Sequence, residues 1–102
     1  MTRFQVTVDA DLEPIMDRYF AIQQKELSLM DEAIVDGDPK TLSRLGHKLK
    51  GTGTSYGFPR LTELGLAIEN AGKDEDLPKA QELISQARNY IENVEVVYQE
   101  IG

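Results

Sequence analysis

Asp38-Pro-Lys-Thr-Leu-Ser-Arg-Leu-Gly-His-Lys-Leu-Lys-Gly-Thr-Gly-Thr-Ser-Tyr-Gly57 is the stretch whose reading decides the fold. Asp38 before Pro39 supplies a helix start, an acidic cap followed by proline at the first helical position. Leu42, Leu45, Leu49 and Tyr56 then recur at helical spacing. Advancing about 100° per residue gathers these four with Gly53 into one arc and sets His47 on the opposite side. Within about 60° of His47 lie Ser43, Arg44, Lys50, Gly51 and Thr54. The spacing predicts an amphipathic helix, with leucines on one face and His, Lys and Arg beside bare backbone on the other.

Glycine is the physical oddity of this helix. Each one in a helix interior costs about 1 kcal/mol against alanine, so Gly46, Gly51 and Gly53 call for a reason. Gly51 lies one turn beyond His47 on the same face and removes the side chain that would crowd the imidazole. Gly46 and Gly53 lie nearer the core side and suit close helix–helix packing. Thr54 is short and polar, and reads as a solvated hydroxyl or as a contact for a visitor.

A lone surface histidine is usually inert, and surface lysines are usually solvated charges. His47 differs by what accompanies it: a lysine at i+3 and a glycine at i+4, which together admit a bulky, anion-bearing partner to an imidazole nitrogen. The chain has one histidine and no cysteine, which leaves too few clustered ligands for a metal site. Nothing resembles a nucleophile elbow or a strong oxyanion hole.

Outward from this helix the chain reads as further helices with short punctuation. Phe4–Val8 suits an extended start, Asp9 and Asp11 offer N-caps, and Pro14 is tolerated in a first turn. Ile15, Tyr19, Ile22, Leu27, Met30, Ala33 and Ile34 mark a first helix within Asp11–Val35, long enough to leave room for a kink. After Gly57 and Pro59 a third helix carries Leu61, Leu64, Gly65, Ile68 and Ala71. A polar link over Gly72–Asp76 precedes Pro78, which opens a last helix marked by Leu83, Ile84, Ala87, Tyr90, Ile91, Val94, Val97 and Ile101. No strand alternation is read after Val8. Loops of about 2–6 residues favour antiparallel neighbours. The expectation is an all-α, up-down-up-down four-helix bundle, with room for a short extra N-terminal helix.

Composition narrows the function. The 102 residues suit one domain over 1–102 with a single core. A net charge of −7 disfavours nonspecific binding to nucleic acid or anionic membrane. The N-terminus shows no secretory signal, and no run approaches a membrane span. A cytoplasmic protein, or a module cut from a longer one, is expected.

His47-Lys-Leu49-Lys50-Gly51, followed by small residues and Tyr56-Gly57, resembles the signature of histidine phosphotransfer (HPt) domains, His-x-Leu-Lys-Gly-small-small-x-x-apolar-Gly. Phe58, Leu61, Leu64, Ile68 and Glu69 fall where that family places its next helix, so the resemblance runs over Asp38–Gly72. Thr52 and Gly53 replace the Ser/Ala pair common after the signature glycine, and both are small.

The resemblance implies a four-helix bundle bearing a phosphorylatable histidine. His47 would exchange a phosphoryl group with the aspartate of a response-regulator receiver domain, or take it from a histidine kinase or hybrid kinase. Lys50 would pair with phosphoryl oxygens, and Gly51 would leave room for the receiver's loops. Glu69 would either accept a hydrogen bond from the imidazole or stand as an exposed helical charge. Arg44 and Lys48, with Ser43 and Thr54, would help dock an acidic receiver pocket; Leu66 would join that interface or pack at the bundle edge. Mg²⁺ would come with the receiver, and no cofactor of the chain's own is expected. Without a Gly-rich nucleotide loop the chain should not phosphorylate itself. The expected protein is a monomeric relay intermediate rather than an enzyme, and its rival is a helical adapter that docks a receiver without phosphotransfer.

Overall fold

In the computed structural model, which describes residues 4–100, a strand β1 (Phe4–Asp9) and one 3₁₀ turn (Ala10–Leu12) lead into four helices. These are α1 (Glu13–Asp36), α2 (Pro39–Tyr56), α3 (Pro59–Lys73) and α4 (Leu77–Asn93), and a strand β2 (Val94–Gln99) follows. All four prolines of the chain stand in the first two positions of a helix, where a missing N–H costs nothing. Asp38 and Asp76 cap α2 and α4 by accepting from the Thr41 and Lys79 amides. Gly37 and Gly57, both left-handed, end α1 and α2 and reverse the chain within two residues.

The helices form a bundle in which α2 and α3 make the most intimate pair. Their antiparallel register is read from backbone contacts: Gly72 meets Ser43, Gly46 meets Glu69, Gly65 meets Lys50, and Gly53 meets Thr62. The core holds Met16, Tyr19, Leu27 and Met30 of α1, the three α2 leucines, Leu61, Leu64 and Ile68 of α3, and Leu83, Ile84, Ala87 and Tyr90 of α4. Phe58, in the α2–α3 turn, is fully buried and packs against Tyr19 and Phe20, and Tyr19 in turn stacks on Tyr56 to complete an aromatic cluster. No helix among the described residues is long and apolar enough to cross a membrane.

Expectations are corrected at the end of the last helix and on the apolar stripe of α1. The last helix stops at Asn93, and Val94 and Val97 lie in β2, which pairs in parallel with β1 from Phe4↔Val94 to Asp9↔Gln99. Val94-Glu-Val-Val-Tyr fits both periods, and the β-branched run takes the extended one because Phe4–Asp9 offers a partner. Ile101 lies outside the described residues. α1 runs unbroken through 24 residues. Within it Ile15 and Ile22 are each 43% exposed, while Met16 and Gln23 occupy the core positions one residue further on.

Candidate functional site

His47 projects from the solvent face of α2 with 67% of its side chain exposed. Its orientation comes from α3, and α3 comes close because of glycine. A methyl placed on Gly46 would stand 2.5 Å from the Glu69 backbone nitrogen and 2.9 Å from the Gly65 carbonyl oxygen. One placed on Gly65 would fall on the Lys50 backbone nitrogen. Only at hydrogen positions can the two helices approach this far. The approach sets Glu69 beside His47, with Glu69 Oε2 3.1 Å from His47 Nδ1.

Glu69 is buried, its side chain only 10% exposed; it accepts hydrogen bonds from His47 and Lys50 and is ion-paired with Lys73. Lys50 Nζ donates to Oε1 at 3.2 Å, while Lys73 Nζ lies 3.6 Å from Oε2, the oxygen that faces the imidazole. Burial pushes the Glu69 carboxyl upward, but the Lys50 hydrogen bond and charge, with Lys73 and His47 adding to them, hold it below the usual glutamate range. An ionised carboxylate only accepts, so Nδ1 carries the proton of this contact. In the neutral ring Nε2 then keeps its lone pair.

The other expected residues divide. Nothing lies within 4 Å of a methyl built on Gly51, so the space beside His47 is open, as the sequence requires. Leu66 is 44% exposed on α3, and Arg44 is exposed on α2. Ser43 is half-buried, its backbone against Gly72. Thr54 is not simply solvated: its hydroxyl donates to the Lys50 carbonyl at 3.0 Å and lies 3.0 Å from the Thr62 hydroxyl, stitching α2 to α3. Lys48 is exposed but engaged, donating to Glu26 of α1 at 2.7 Å. Glu69, read from sequence with an exposed-charge alternative, is neither exposed nor solitary.

Two features escaped the sequence reading. Lys73 stands four residues after Glu69, a spacing at which helical Glu and Lys side chains meet, and that spacing alone could have found it. Ile15, Ile22 and Leu29, seven residues apart, form an exposed ridge on α1 along the side where Glu26 holds Lys48. His47 therefore sits in a charged centre with apolar side chains on α1 and α3 to either side.

The charge of the chain is also segregated. α2 carries Lys40, Arg44, Lys48 and Lys50 and no acidic residue, although the net charge of the chain is −7. Among the described residues no group of three or more His, Cys, Asp or Glu side chains gathers as a metal cage. A family model described as the Hpt domain matches residues 14–96. No match was found among curated proteins or among solved structures.

Proposed function

Because this chain belongs to the Hpt domain family, whose members serve as phosphotransfer intermediates between kinases and response regulators, we propose that His47 is its phosphoryl carrier. The observation that carries this reading is the 3.1 Å contact between His47 Nδ1 and Glu69 beside an unobstructed Gly51. It fixes which nitrogen holds the proton and leaves the other one exposed to an approaching partner.

The Nε2 lone pair attacks the phosphorus of a receiver's aspartyl phosphate, in line with the P–O bond to the carboxylate. That bond breaks, and the aspartate leaves as a carboxylate with the electron pair. The ring keeps its Nδ1 proton, so the phosphorylated imidazole gains a positive charge, which the Glu69 carboxylate faces directly. The reverse reaction returns the group to an aspartate. Such transfer is chiefly a matter of positioning and charge neutralisation, and both are provided for here.

Lys50 is three residues from His47 on the same helix and only 32% exposed, placed to exchange its Glu69 bond for a phosphoryl oxygen. Gly51 admits the receiver's loops. The basic face of α2, Arg44 and Lys40 included, suits an acidic receiver pocket, with Ile22, Leu29 and Leu66 as apolar flanks. Mg²⁺ would come with that pocket: among the described residues the acid in contact with His47 is Glu69, and it is engaged by His47, Lys50 and Lys73.

The adapter reading makes a different forecast. Equilibrium binding and phosphate transfer should be measured together with a phosphorylated receiver. His47→Ala should keep binding and abolish transfer. Equal signalling output from His47→Ala and parent would favour the adapter.

A further inference from the structure

A carboxylate beside a nucleophilic histidine is double-edged. It orients the ring, yet it also stabilises the doubly protonated imidazolium, which has no lone pair to attack with. Glu69 orients His47 from 3.1 Å, so something must offset its pull. Lys50 does so at 3.2 Å, but the proposed reaction calls Lys50 away to the phosphoryl group. Lys73 stays: it sits on α3 with Glu69, one turn further along, and faces Oε2, the oxygen shared with His47 Nδ1.

We propose that Lys73 is a positioning residue that acts through Glu69. It balances the carboxylate, so that Glu69 aims the imidazole without holding it protonated, and it frees Lys50 to follow the phosphate. This role rests on the phosphotransfer reading above, but its electrostatic half can be measured without any phosphate donor.

The groups facing His47 can be named from every packed element. α3 contributes Glu69 and Lys73, and α2 contributes Arg44, Lys48 and Lys50. α1 contributes Glu26, whose charge is met by Lys48 at 2.7 Å. Glu69 is the one acid in direct contact with the ring among these, and Lys73 is the one cation on its oxygen Oε2. Lys73 is 63% exposed, so it adds little to stability, and removing it should leave the bundle folded.

The test compares the parent chain with Lys73→Gln and Lys73→Arg. His47 is the only histidine, so its ring signals can be followed by NMR across pH without ambiguity. Losing a cation that shares Glu69 Oε2 with the ring, at a partly screened site, should raise the pH midpoint of those signals by about 0.3–0.7 units in Lys73→Gln. Lys73→Arg should match the parent. Transfer from a phosphorylated receiver near pH 6.5 should fall about two-fold in Lys73→Gln with receiver affinity unchanged. A midpoint displaced by less than about 0.1 unit, or a loss that Arg does not rescue, overturns the proposal. A midpoint that rises while neither parent nor variant transfers phosphate supports the action of Lys73 on the imidazole and overturns the phosphotransfer reading by itself.

Discussion

Gly46 and Gly65 bring α2 and α3 together backbone to backbone: a methyl on Gly46 would stand 2.9 Å from the Gly65 carbonyl oxygen. Neither residue has a side chain to contribute, yet between them they set the distance from His47 to Glu69. Gly65→Ala should therefore act at two levels. The added methyl meets backbone, which cannot rotate away, so stability should fall by about 2–3 kcal/mol in urea unfolding. The helices must also separate, weakening the Glu69 contact with the His47 ring. A loss under about 0.5 kcal/mol would mean that the seam is looser than described.

Gly51 should behave in the opposite way. No atom lies within 4 Å of a methyl there, so Gly51→Ala should stabilise the helix by about 0.5–1 kcal/mol. Gly51→Gln should keep most of that gain but obstruct the partner, slowing phosphate transfer. Transfer at the parental rate by Gly51→Gln would show that the open space has no role in docking.

The glycines of α2 mark how far the sequence could be read. Gly51 was legible because its neighbours on the wheel, His47 and Lys50, belong to the same helix. Gly46 and Gly53 could be assigned to packing, but not to a partner, since register between helices is a tertiary fact. Glu69 was left between two roles for the same reason: its burial depends on how closely α3 approaches. The α2 leucines and the α3 and α4 cores followed from periodicity. Periodicity misled at Ile15 and Ile22, where a stripe shifted by one residue fits nearly as well. It failed at Val94–Gln99, where one apolar series satisfies both helix and strand and only a distant partner, Phe4–Asp9, decides.

Tyr19 carries a cost at the centre of the aromatic cluster. Its ring stacks on Tyr56 at 4.2 Å, but its buried hydroxyl has no hydrogen-bond partner among the described residues. Burial pushes the phenol up to about 12. Tyr19→Phe keeps the stacking and removes the orphan group, so it should be neutral or stabilise by about 1 kcal/mol in thermal or urea unfolding. A loss above about 1 kcal/mol would reveal a partner for the hydroxyl.

Glu69 makes stability depend on pH with a definite sign. Its folded pKa lies below the ordinary value of 4.5, so its stabilising contribution is fully present above that value. The contribution is lost as pH falls through the lower folded value. Glu69→Gln should therefore differ most from the parent near neutrality, with the gap closing below about pH 4.5. Urea midpoints at pH 7, 5, 4 and 3 provide the check. A gap as wide at pH 3 as at pH 7 would contradict the ion-pair account of Glu69.

The α2–α3 face converges on one atom, Nε2 of His47. The most direct measurement incubates the parent and His47→Gln with a receiver carrying labelled aspartyl phosphate, and then follows the label on this chain. The expected result is an acid-labile, alkali-stable phosphate on the parent and none on His47→Gln. Equal labelling of both proteins, or label that survives acid, would contradict His47 as the carrier.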